Sequence, residues 1–80
     1  MLNIIAKNVK SDLTRKVNGQ VYCHALYGNT IVCDIICNET VYHYIEKYTK
    51  EEISSGLSST IIADQILCSY ARYIKCIFFK

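Results

Sequence analysis

The residues best suited to chemistry in this 80-residue sequence are five cysteines (Cys23, Cys33, Cys37, Cys68 and Cys76), two histidines (His24 and His43) and nearby carboxylates. Cys23, Asp34 and His43 would be the complement of a thiol nucleophile, its base and an orienting acid. If Gly28-Asn29 and Asn38-Glu39 are two-residue hairpin loops, the three share one row of a sheet, but Asp34 stands in the middle. Cys23 and His43 are then two strand spacings, about 9.6 Å, apart, whereas a base must sit about 3 Å from its nucleophile. The row therefore predicts an Asp34–His43 pair satisfying two buried polar groups. Metal chemistry lacks ligands. There is no Cys-x-x-Cys; Cys33 and Cys37 on one strand are about 13 Å apart; His24 opposite Cys33 would need two further donors for zinc. The cysteines are expected to act as small hydrophobes, with no metal and no cofactor. Gly19, Gly28 and Gly56 are too scattered for a phosphate loop, and Glu51 and Glu52 fall in a first helical turn, where they favour the dipole. The chain is expected not to be an enzyme.

The elements that position these residues follow from periodicity. Turn signals at Asn18-Gly19, Gly28-Asn29 and Asn38-Glu39 separate QVYCHALY, TIVCDIIC and TVYHYIEKY, runs rich in β-branched and aromatic residues. They predict an antiparallel meander, with LNIIAKNV as a further strand of undefined partner. Near Tyr48 the period changes from two to 3.6. Thr49-Lys50-Glu51-Glu52 matches a capping box opening a short helix. Gly56 interrupts it, and Ser58 or Ser59 caps a longer helix reaching about Ile77, whose apolar face carries Ile62, Ala63, Ile66, Leu67, Tyr70, Tyr73, Ile74 and Ile77. The expected fold is α+β in one domain, residues 1–80, β-rich to about 48 and helical over about 49–78. A meander of three to four strands is followed by a short helix and a longer amphipathic helix on one sheet face. A chain this size buries only about 63% of its unfolded surface, enough for one thin core.

With two-residue loops, Val21, Cys23, Ala25, Val32, Asp34, Ile36, Val41, His43 and Ile45 share one face, expected under the helix. Tyr22, His24, Leu26, Ile31, Cys33, Ile35, Tyr42, Tyr44 and Glu46 share the other, expected to be more open. Tyrosine is enriched at interfaces, so Tyr22, His24, Tyr42, Tyr44 and Glu46 are the expected protein-binding residues. A host protein or a second copy of the chain, as a homodimer, is the expected partner.

Charge adds little. The formal net charge is +2, well short of the excess that marks a nucleic-acid binder. The basic cluster Lys7, Lys10, Arg15 and Lys16 reads as lysines keeping a strand edge soluble. Residues 49–75 faintly resemble a helix-turn-helix, and in that alternative, a small transcriptional regulator, Lys50, Ser58, Ser59, Arg72 and Lys75 would face nucleic acid. No apolar leader precedes the odd number of cysteines and no stretch suits a membrane span, so reduced thiols in a cytoplasm are expected. Frequent Ile and Tyr with neither Pro nor Trp matches AT-rich genomes such as those of many phages. In size and hairpins-then-helix plan the chain resembles phage-encoded inhibitors of host machinery, anti-CRISPR and other anti-defence proteins among them. That implies a non-enzymatic inhibitor that occludes a host factor in the host cytoplasm.

Overall fold

The computed structural model describes residues 2–78, with side chains through Lys75. Six elements follow in order: α1 (Leu2–Lys16), β1 (Gln20–Leu26), β2 (Thr30–Cys37), β3 (Thr40–Lys47), α2 (Lys50–Ser54) and α3 (Ser59–Phe78). The fold is α+β: an antiparallel sheet in the order β1-β2-β3, then the short helix and the long one.

The N-terminal segment corrects one expectation. Residues 2–9 are not a fourth strand but the first half of α1. Ile5, Ala6, Val9 and Leu13 are its buried positions, one stripe on a helix, whereas on a strand the adjacent Ile5 and Ala6 would point to opposite faces. The stretch taken together with the sheet, residues 1–48, is thus helical over its first third. Asn18-Gly19 is accordingly no hairpin turn but the bend from α1 into β1. A methyl group on Gly19 would collide with the Ile36 carbonyl oxygen and stand 3.1 Å from the Cys37 Cβ, so glycine is what lets the entering chain lie against the end of β2.

The two hairpins differ. Cys37 pairs with Thr40, so Asn38-Glu39 is the two-residue loop expected, with φ of +50° and +66°, both left-handed as a type I′ turn requires. Leu26, however, pairs with Thr30. Tyr27, Gly28 and Asn29 form a three-residue loop, and β1 moves by one residue against β2. Since side chains alternate with period two, that slip exchanges the faces of β1 relative to the other strands.

The observed inner face therefore carries Val21, Cys23 and Ala25 from β1, Ile31, Cys33 and Ile35 from β2, and Tyr42, Tyr44 and Glu46 from β3. Ile31, Cys33 and Ile35 are fully buried. Both long helices cover this face. Ile5, Val9 and Leu13 of α1 and Ile62, Ala63 and Ile66 of α3 complete one core with Val21 and Tyr48. The helices also pack on each other, tied by Lys16 Nζ donating to Asp64 Oδ1 at 3.1 Å. The α3 stripe is as the periodicity predicts through Ile74, while the side chain of Ile77 lies outside those described.

Caps match their sequence signals. Thr49 accepts from the Glu52 N–H and Glu52 accepts from the Thr49 N–H, the complete capping box. Ser58 Oγ accepts from the Ile61 N–H at 3.4 Å at the start of α3. Gly19→Ala is expected to lower the unfolding free energy by about 1–3 kcal/mol, because either the α1–β1 bend or the Ile36 carbonyl must move; urea titration measures it.

Candidate protein-binding face

Among the described residues no helix lies over the second face of the sheet. It carries Tyr22, His24 and Leu26 from β1, Val32, Asp34 and Ile36 from β2, and Val41, His43 and Ile45 from β3. Only Val32, central among its neighbours, is buried. Tyr22, Leu26, Val41 and Ile45 are 45, 51, 55 and 56% exposed. On a solvated sheet face polar residues would be expected to alternate with the core-facing ones; here a β-branched or aliphatic residue occupies most positions. Burying what remains exposed of each is worth about 1–2 kcal/mol.

In the middle of this face His43 Nδ1 and Asp34 Oδ1 meet at 2.5 Å. The expected pair forms, but not as a buried one: the His43 side chain is 60% exposed and that of Asp34 31%. It therefore contributes little stability, at most about 1 kcal/mol, and acts as a polar mark on an apolar surface. Among the described residues no cysteine lies beside it, since the slip puts Cys23 and the Asp34–His43 pair on opposite faces.

The five residues expected to bind protein are divided by the same slip. Tyr22 and His24 lie on the open face, and Tyr42, Tyr44 and Glu46 on the inner one. Tyr42 packs against the rings of Tyr70 and Tyr73 of α3, with centroids 5.7 and 5.0 Å away. Tyr44 is half-buried, and burial, then Glu46 and Tyr42, raise its pKa. Glu46 is exposed at the end of its strand. A single Tyr22–Tyr42–Tyr44 patch does not exist, and Leu26, Val41 and Ile45 are the residues that instead extend the surface around Tyr22. Gly28-Asn29 suits a two-residue hairpin loop as well as the last two places of a longer one, so no local signal named them.

The residues of the nucleic-acid alternative are spread out. Lys50 opens α2, a helix of only five residues; Ser58 precedes α3 and Ser59 begins it. Arg72 and Lys75 are exposed on α3 at least about 20 Å along its axis from Ser59. Of the N-terminal basic cluster, Arg15 is bonded to Asp12, Lys16 to Asp64, and Lys10 Nζ lies 5.9 Å from the centre of the Tyr22 ring. All are on a helix and not on the strand edge expected.

The cysteines also differ from expectation. Cys23 and Cys33, opposed in the observed register, form a disulfide, with Cα atoms 4.2 Å apart; they are not the two reduced thiols the sequence suggested. Cys37 is free, and its thiol donates to the Asn18 carbonyl at 2.9 Å. Among the described residues no three His, Cys, Asp or Glu side chains stand close enough to hold a metal, and no helix is long and apolar enough to cross a membrane.

Tyr48 follows β3 and is buried, and among the described residues its hydroxyl has no hydrogen-bond partner. Burial, with smaller contributions from Tyr44, Glu46 and Glu52, pushes its pKa up to about 12.

Comparison with protein-family models, curated proteins and solved structures finds no match to this chain.

Reduction of Cys23–Cys33 is expected to cost about 2–3 kcal/mol, because the bond closes a short loop in the unfolded chain; urea midpoints with and without reductant measure it. Tyr48 gives the pH dependence. A phenol kept neutral in the fold but ionising near pH 10 when unfolded supplies stability that is complete below pH 10 and is lost as pH rises toward about 12. Tyr48→Phe should make that loss shallower. It should also leave stability at neutral pH equal or up to about 1 kcal/mol higher, since an unpaired buried hydroxyl is removed; urea titrations at neutral pH and at about pH 11 separate the two effects.

Proposed function

We propose that this chain is a small non-enzymatic protein-binding protein, of the kind phages and mobile elements encode to inhibit a host factor, anti-defence proteins included, and that it acts by occlusion. The observation that supports this reading is the uncovered sheet face with Tyr22, Leu26, Val41 and Ile45 about half exposed around the Asp34–His43 pair. A contiguous apolar patch rimmed by polar groups is characteristic of interaction surfaces. An amphipathic tyrosine and a central polar pair provide the directional contacts that fix orientation. The compartment depends on Cys23 and Cys33: a reducing cytoplasm keeps such a pair open and an oxidising compartment keeps it closed, so its state in cells assigns the location.

Capture from the native host, followed by titration of the recovered partner, tests the proposal. Tyr22→Ala and Leu26→Asp are each expected to weaken binding at least tenfold, about 1.4 kcal/mol, with no change in thermal midpoint because both side chains are already half exposed. Full binding by both variants would refute it. So would duplex DNA binding that weakens steeply with salt, the mark of phosphate contacts, and that requires Arg72 and Lys75.

A further inference from the structure

The sheet has two edges, and the chain treats them differently. Tyr48 N–H donates to the Asn29 carbonyl at 2.8 Å, so Asn29 and Tyr48 are a hydrogen-bonded pair. Such pairs recur at every second residue of an antiparallel ladder, which makes Ile31–Glu46, Cys33–Tyr44 and Ile35–Tyr42 the bonded pairs of β2 and β3. The close Cα approach of Cys23 and Cys33 marks a non-bonded pair on the other side of β2 and gives the same phase. Val41, His43, Ile45 and Lys47 therefore point their N–H and C=O groups away from the sheet. Among the described residues no backbone or side-chain group bonds to them.

On β1 the outward backbone belongs to Val21, Cys23 and Ala25. Lys10 reaches from α1, over the inner face, to the ring of Tyr22 on the open face, and its side chain must cross this edge to do so. A lysine across an edge is a standard protection against strand addition. Among the described residues no lysine is laid across the β3 edge: it runs from Thr40 to Lys47 with no proline and its one lysine at the very end, and Val41 and Ile45 are more than half exposed.

We infer that the outer edge of β3 binds an extended segment of a partner protein by strand addition. This rests on the protein-binding reading above and names its mode. The unpaired groups of Val41, His43 and Ile45 specify a backbone as their complement. The side chains specify the sequence: apolar residues four positions apart beside Val41 and Ile45, a polar one between them beside His43, and an acidic one beside Lys47, which is exposed and forms no ion pair among the described residues. A second copy of the chain is a poorer occupant of this edge. α3 packs above β3 through Tyr42, and edge-to-edge pairing would place two such helices over strands about 4.8 Å apart, whereas packed helix axes need about 8–10 Å. A lone extended segment brings no helix.

Selecting displayed random ten-residue peptides against the intact oxidised chain tests this. Selected peptides should share the apolar, polar, apolar alternation. In the saturated complex, exchange of the Val41, His43, Ile45 and Lys47 amides should slow at least tenfold. His43→Pro removes an outward N–H that the β2 ladder does not use and should weaken binding at least tenfold; Lys7→Ala should not. If His43→Pro fails to fold, the amide exchange of the unaltered chain still decides. Unchanged exchange at His43 and Ile45, no peptide bound below millimolar concentration, or a dimer in sedimentation that His43→Pro abolishes would each overturn the inference. Binding lost in Tyr22→Ala but kept in His43→Pro would overturn it too, while leaving the open-face reading in place.

Discussion

Three consecutive inward side chains of the central strand, Ile31, Cys33 and Ile35, are fully buried, and keeping them out of water dictates the arrangement of the other elements. One helix covers a strip about 10 Å wide, while three strands span about as much between their outer axes and more with their side chains. Two helices are therefore needed. α1 supplies Ile5, Val9 and Leu13 over β1 and β2, and α3 supplies Ile62, Ala63 and Ile66 beside it. With both long helices spent on one side, nothing in the described chain remains for the other, and the open face is a direct result of how the core is closed.

That closure also sets the contrast between the tyrosines. Tyr42 fills the space between β3 and α3, where its large ring bridges to a helix that makes few close backbone approaches to the strand, and Tyr44 packs against the core. Tyr22, one register step away from the inner row, faces solvent with the Lys10 ammonium near its ring. The same residue type thus serves as packing on one side and as surface on the other, and the length of a single loop decides which.

Much of the architecture was readable from local chemistry. The Thr49–Glu52 capping box, the Asn38-Glu39 turn and the α3 stripe each depend on contacts within a few residues, and each formed as their sequence implied. The Asp34–His43 pair was also legible, because both lie on strands joined by the correctly read loop. What failed depended on longer context. LNIIAKNV has the residue types of a strand, and its helical register shows only in the burial of the adjacent Ile5 and Ala6 together with Val9 and Leu13. The face assignment failed at Gly28-Asn29, where φ of +78° and +56° suits either a two-residue loop or the end of a three-residue one. No local preference separates these; the choice is settled by placing Val21 and Cys23 under α1, a tertiary demand.

The tie between Lys16 and Asp64 spans 48 positions of sequence, while both hairpins close within a few. During synthesis, then, α1 and the meander can meet as soon as β2 emerges, but the groove beside α1 stays vacant until the last quarter of the chain is made. For that interval the nascent protein exposes Ile31, Ile35 and the flank of α1 together. Such a partly folded state stays open to aggregation until α3 docks, however fast the sheet itself forms.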